Sequence, residues 1–246
     1  MNSVLNISAY KFVALADTAL WRERIHTHAQ GDALKGTVLL ADEGINLFLA
    51  GTDHAVRGFV AWLVGHAEFA DLHVKESWSA GVPFGRLRVK VKPEIIRMNH
   101  PTIRPQAGRA PVVDAKTLAH WLDAGTDDNG RELVLLDTRN AFEVDHGRFR
   151  GAHDWRTARF SDFPKALQTH RAELAGKTVV SYCTGGIRCE KAALLMAQLG
   201  VDNVLQLDGG ILKYLEDTGG RHFDGTCFVF DAREQLDATL APVRSA

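Results

Sequence analysis

The chain is short of everything that would place it outside the ordinary globular class. It holds three cysteines, Cys183, Cys189 and Cys227, in 246 residues. That is too few and too odd a number for a disulfide framework, which points to a reducing setting. No apolar run approaches the roughly 18 residues that a membrane span requires. The opening MNSVLNISAYKFVALAD shows no basic stretch leading into an apolar block, so no secretory leader is expected. A cytoplasmic location with no membrane partner follows. There is no excess charge of one sign either: 29 Lys and Arg against 30 Asp and Glu leave a net charge of -1, which gives no global sign of a polyanionic partner such as DNA. Eleven histidines include His26-Thr27-His28, yet no Cys/His spacing has the form of a zinc site, and no metal is expected. Gly176-Lys177-Thr178 has the ending of a phosphate-binding loop, but position 171 is Arg where Gly is required, and Lys177 precedes a strand.

What is present is a soluble composition, 46% hydrophobic and 24% charged, long enough for two domains. Residues 1–97 read as strand, helix, strand pair, helix, strand. Caps at Asp17-Thr18 and Thr52-Asp53 open helices whose apolar positions are Leu20, Trp21, Ile25 and then Val56, Phe59, Val60, Leu63. The expected fold is a ferredoxin-like α+β sandwich ending in a strand over Arg86–Lys92. Residues 98–111, rich in proline and arginine, read as a linker. Over 112–231 three short apolar strands, Leu133–Asp137, Thr178–Cys183 and Val204–Leu207, alternate with helical segments. That is the pattern of a doubly wound parallel α/β domain, and residues 232–246 read as a C-terminal tail.

The chemistry is concentrated in Cys183-Thr184-Gly185-Gly186-Ile187-Arg188-Cys189. A buried strand ends at Cys183 and a glycine loop enters a helix, so free N–H groups surround the sulfur and favour its thiolate. Arg188 adds a fixed positive charge for an anion or a carbonyl oxygen. Cys189 reads either as a thiol able to resolve a persulfide or sulfenic acid on Cys183, or as a packed helix residue. Cys227 reads as core. Elsewhere, Arg86, Arg88, Lys90 and Lys92 alternate with Leu87, Val89 and Val91, which puts four cations on one strand face roughly 7 Å apart. Such a row serves a nucleic-acid backbone or guards a sheet edge.

Cys183 to Arg188, with four residues between, resembles the active-site loop of rhodanese domains. Asp137-Thr138-Arg139, Glu143, Gly151-Ala152 and Asp208-Gly209-Gly210 resemble that family's other marks. A phosphatase of related fold has a loop one residue longer, so the shorter loop implies sulfur or neutral chemistry. Gly147-Arg148-Phe149-Arg150 departs from the Gly-His-Ile of ordinary rhodaneses. Longer stretches, Cys183–Ala192, Gly209–Glu216, Cys227–Asp231 and Glu43-Gly44-Ile45-Asn46, resemble the oxygen-dependent tRNA uridine-34 hydroxylases, in the short form without a cysteine-rich tail.

That resemblance implies hydroxylation of the wobble uridine at C5, with tRNA bound through its anticodon region and the Arg86–Lys92 row as its backbone track. It also implies molecular oxygen as co-substrate, no evident cofactor, Cys183 as the essential thiolate, and Asp137 and Arg139 as supporting residues with a structural role. A persulfide-carrying sulfurtransferase is the alternative, and a tRNA-binding module without chemistry a third reading. Oligomeric state is not legible.

Overall fold

The computed structural model describes residues 3–243, which divide into two units, 3–97 with 231–233 and 98–230 with 234–243. In the first unit β1 (Val4–Phe12), α1 (Thr18–Gly31), β2 (Lys35–Ala41), β3 (Gly44–Thr52), α2 (Asp53–Val64), β4 (Val74–Ser79) and β5 (Leu87–Val91) follow in order. Asp17 and Thr52 cap the two helices, their side chains accepting from the N–H of Leu20 and Ala55. Trp21, Ile25 and Ala29 of α1 and Val56, Phe59 and Leu63 of α2 are buried. They pack on the alternate strand residues Leu5, Ile7, Val38, Leu40, Ile45, Leu47 and Leu49. Leu20, by contrast, is exposed.

The sheet order is β4-β1-β3-β2-β5, antiparallel except that β5 runs parallel to β2. The first four strands in this order are a ferredoxin-like sheet. The strand over Arg86–Lys92, expected to close that sandwich, is instead a fifth strand added at the opposite edge. The closing strand is β4, whose Val-Lys-Glu-Ser-Trp-Ser is mostly polar and half-exposed and so carries little apolar alternation. The β2–β3 turn demands Gly44: its φ is +144°, and a Cβ there would lie 2.0 Å from the Lys11 carbonyl oxygen.

The second unit runs β6 (Val112–Val113), α3 (Ala115–Ala124), β7 (Leu133–Asp137), α4 (Ala141–Val144), β8 (Gly147–Phe149), β9 (His153–Asp154), α5 (Phe163–His170), β10 (Thr178–Tyr182), α6 (Ile187–Gln198), β11 (Val204–Leu207), α7 (Gly210–Thr218), β12 (Phe223–Gly225), β13 (Cys227–Phe228) and β14 (Gln235–Leu236). Its sheet, β6-β11-β10-β7-β9, is parallel throughout. β10 lies central and all five of its residues are buried, the hydroxyls of Thr178 and Ser181 donating to Asp127 and to the Leu205 carbonyl. Helices α3 and α7 pack together, as do α5 and α6.

Two boundaries differ from the sequence expectation. Residues 98–111 are not a free linker: Met98, Ile103 and Pro105 are buried in the second unit. Arg109 Nε donates to Glu190 Oε1 at 2.8 Å and its Nη2 to Asp208 at 3.1 Å, while Gln206 Nε2 donates to the Ala110 carbonyl and to Glu190. The arginines and prolines that suggested a solvated connection instead fasten it down. Nor is 232–243 a tail, because β14 pairs antiparallel with β13 and Leu236 is buried. Residues 244–246 of the expected tail lie outside the described residues.

Candidate active site

Parallel α/β sheets place ligands beyond the carboxyl ends of their strands, and Cys183 stands at that end of the central strand. Its side chain is fully buried beneath the loop, of which Thr184, Gly185 and Ile187 are half-exposed. The Gly186 N–H donates to Cys183 Sγ at 3.1 Å, an approach made possible by φ +102° at Gly186, the residue before α6. Burial opposes ionisation of this thiol. A hydrogen bond from Cys189, the charge of Arg188 and the N–H groups of Arg188 and Gly186 outweigh it, so Cys183 is held well below the ordinary thiol value.

Cys189 is the complementary partner. Burial and the neighbouring Cys183 thiolate push its own thiol well above the ordinary value, so it stays protonated and donates. Its sulfur lies 3.6 Å from Thr138 Oγ1. Cys227 is buried too, and burial first of all pushes it up to about 12, which makes it inert core.

Arg188 does not point freely at a substrate. Its two Nη atoms donate to the carboxylate of Glu143 at 2.6 and 2.7 Å, and both side chains are buried. Desolvation is the largest effect on this guanidinium and is outweighed by Glu143 and then Cys183, so its pKa is raised. Glu143 also accepts the Asn140 N–H at 3.0 Å. Sequence reasoning noted Glu143 as a family mark but did not place it in the site. It belongs there, as the residue that orients Arg188.

Asp137 and Arg139 sit below as a second buried pair, with Arg139 Nε and Nη2 both on the Asp137 carboxylate at 2.6–3.1 Å. Arg139 also donates to the Glu143 and Gly147 carbonyls. This pair therefore holds backbone in place. From the late Gly-Gly segment, the Ile211 and Leu212 N–H groups hold the Cys183 and Thr184 carbonyls at 2.9 and 3.1 Å. Only glycine fits at 210, where a Cβ would lie 2.5 Å from the Cys183 carbonyl oxygen and φ is +67°.

Glu43-Gly44-Ile45-Asn46 lies at the start of β3 in the first unit. Glu43 Oε1 accepts the Ile95 N–H and Asn46 Nδ2 donates to the Ile95 carbonyl, so the motif braces the chain beyond β5. Arg86, Arg88, Lys90 and Lys92 are all exposed. They lie on the face of β5 opposite buried Val89, and β5 is an edge strand. Among the described residues no cluster of His, Cys, Asp and Glu has metal-holding geometry, and no helix is long and apolar enough to cross a membrane.

A strand-end thiolate in a Cys-x4-Arg loop, closed by a Gly-Gly turn, defines a rhodanese-like domain, here following a ferredoxin-like one. Residues 4–95 match the UPF0176 acylphosphatase like domain and residues 115–217 the rhodanese-like domain. A protein of Bordetella avium named tRNA uridine(34) hydroxylase is 64% identical over 241 residues, 98% of this chain and 100% of its own. One of the same name from Variovorax paradoxus is 63% identical over 98% of this chain and 92% of its own. A third, from Bordetella pertussis, is 64% identical over 98% and 99%. The chain belongs to the tRNA uridine(34) hydroxylase family.

Proposed function

We propose that this protein hydroxylates uridine 34 of tRNA at C5, with Cys183 as the essential thiolate and molecular oxygen as the source of the new hydroxyl. The observation that carries the site assignment is the pairing of a thiolate nest around Cys183 with an Arg188 whose Nη atoms are engaged by Glu143. A rigid positive charge neutralised in this way supports the thiolate without leaving a free cation for a dianionic donor. A neutral uracil ring suits such a site better than thiosulfate or a phosphate ester.

In this reading the Cys183 sulfur bonds to C6 of the ring, and the C5–C6 electron pair moves towards the O4 carbonyl. Loop N–H groups take the developing oxyanion. C5, now electron-rich, bonds one oxygen atom. The second atom leaves as water after taking two electrons and two protons from an external reductant. Loss of the C5 proton and of the Cys183 thiolate then restores the ring. The exposed Arg86–Lys92 row tracks the phosphate backbone near the anticodon, and the reaction takes place in the cytoplasm.

The test is nucleoside mass spectrometry of tRNA from cells lacking the gene, complemented with wild type or Cys183→Ala. Wild type restores 5-hydroxyuridine and its derivatives, and the alanine variant does not. Full restoration by Cys183→Ala would remove the thiolate from the mechanism.

A further inference from the structure

Two exposed phenylalanines, Phe142 and Phe230, and a half-buried one between them, Phe228, have no task in the chemistry above. In Cys227-Phe228-Val229-Phe230 the period of two turns Cys227 and Val229 into the core and leaves Phe228 half-exposed and Phe230 exposed. Phe142, on α4, is 45% exposed and Phe230 53%. The Phe142 ring centroid lies 5.2 Å from Phe228 and 6.3 Å from Phe230, and those two lie 5.2 Å apart. The three interplanar angles are 88°, 88° and 86°, so the rings are mutually perpendicular. His146 stacks on Phe228 at 5.3 Å. Phe142 immediately precedes Glu143, the carboxylate that orients Arg188 against Cys183.

We propose that Phe142, Phe228 and Phe230 form the platform on which unpaired anticodon-loop bases flanking the target uridine stack. The proposal rests on the tRNA reading above and names the surface that seats the loop. Sequence-specific recognition of RNA loops works by splaying bases onto aromatic faces, and every base offers such a face. Mutually perpendicular rings cannot extend one continuous base stack, as the end of a duplex would need. Each ring presents its face in its own direction, which suits bases that have left the stack. The surface is aromatic rather than aliphatic: the other exposed large apolar side chains of this unit are the valines Val112 and Val243. Strand β8, packed against both α4 and β13, carries exposed Arg148 for the adjoining phosphate.

The experiment uses the full chain with Phe142→Leu, Phe230→Leu, Phe230→Trp and the double leucine variant. The ligands are a synthetic anticodon stem–loop bearing uridine 34 and a fully duplexed RNA of equal length. Leucine keeps the apolar contact and removes the π-face. Each leucine change weakens stem–loop binding by about 5- to 150-fold. The slope of affinity against salt is unchanged, since stacking releases no counterions. Duplex binding and the unfolding midpoint stay at wild-type values, and in Phe230→Trp the stem–loop quenches the indole emission. Stem–loop affinity equal to wild type in the double leucine variant overturns the platform alone, as does an unquenched Phe230→Trp that still binds. A wild-type protein that binds no stem–loop overturns both the platform and the tRNA reading.

Discussion

Removing Arg188 separates what the buried ion pair does for the fold from what it does for the thiol. In Arg188→Met the apolar stem is kept, but Glu143 remains fully buried with its bidentate partner gone and only the Asn140 N–H beside it. Breaking a buried pair from one side costs about 3–5 kcal/mol. In a domain of this size that lowers the melting temperature by roughly 6–20 °C. Glu143→Gln strands the opposite charge and carries a penalty of the same order. Combining the two removes both stranded charges, and the double variant is more stable than the sum of the single losses by at least ~1 kcal/mol. The effects on Cys183 have opposite signs. Losing the Arg188 charge raises the titration midpoint of Cys183 alkylation, whereas losing Glu143 leaves the Arg188 charge unbalanced and lowers it. Urea unfolding of the four proteins gives the coupling, and iodoacetamide rates against pH give the midpoints. Strictly additive penalties, or midpoints that move the same way in both single variants, would refute the arrangement.

Gly210→Ala and Gly219→Ala share a φ near +67°, so both bear the left-handed strain of about 1 kcal/mol or more. Only the former drives a Cβ into the Cys183 carbonyl. Gly210→Ala therefore loses at least ~2 kcal/mol more in urea unfolding, and equal losses would dismiss the close packing of α7 on the loop. Cys227 is pushed up to about 12 from an ordinary value of 9.0. As pH rises above 9 the unfolded thiol ionises first, so this residue alone removes about 1.4 kcal/mol of stability per pH unit. Cys227→Ala lacks that slope, and parallel stability–pH curves for the two proteins would contradict the burial argument. Neutralising Arg86, Arg88, Lys90 and Lys92 to Gln weakens tRNA binding and flattens its salt dependence by about 0.7–0.9 per lost phosphate contact in the log–log slope. An unchanged slope measured by filter binding would reduce the row to guarding its sheet edge.

The parts of the structure legible in the sequence are those whose cause is local. Asp17 and Thr52 cap helices within three residues, and Asp137 meets Arg139 two residues on. The three parallel strands β7, β10 and β11 declare themselves by short runs rich in Val and Leu, and all but Leu133 and Leu205 of their residues are buried. What escaped depends on partners far along the chain. Nothing near Glu143 marks it as buried, because the arginine that neutralises it is 45 positions away. The 98–111 segment has the composition of a loop, yet Glu190 and Asp208, 81 and 99 positions on from Arg109, fasten it to the second unit. β4 was missed for a different reason: it pairs with β1 through backbone bonds while its side chains are largely polar, and period-two apolarity is the signal by which a half-buried strand is read.

The distance between these groups in sequence also shows how the thiolate is kept. The loop of Cys183 to Arg188 supplies the N–H groups but little that fixes their direction. One set of restraints comes through β7 and α4: Asp137 orients Arg139, Arg139 holds the Glu143 and Gly147 carbonyls, and the Glu143 carboxylate holds Arg188 against the sulfur. Another comes from α7, whose first N–H groups hold the loop carbonyls while Gly210 keeps the space clear. Cys189 completes the set by staying protonated where Cys183 is not. A substitution at Arg139, whose guanidinium is taken up by Asp137 and the Glu143 and Gly147 carbonyls, therefore acts on Cys183 through that backbone. Donors fixed in advance need no reorganisation when charge develops beside them, and here the groups that fix them come from segments outside the Cys183–Arg188 loop.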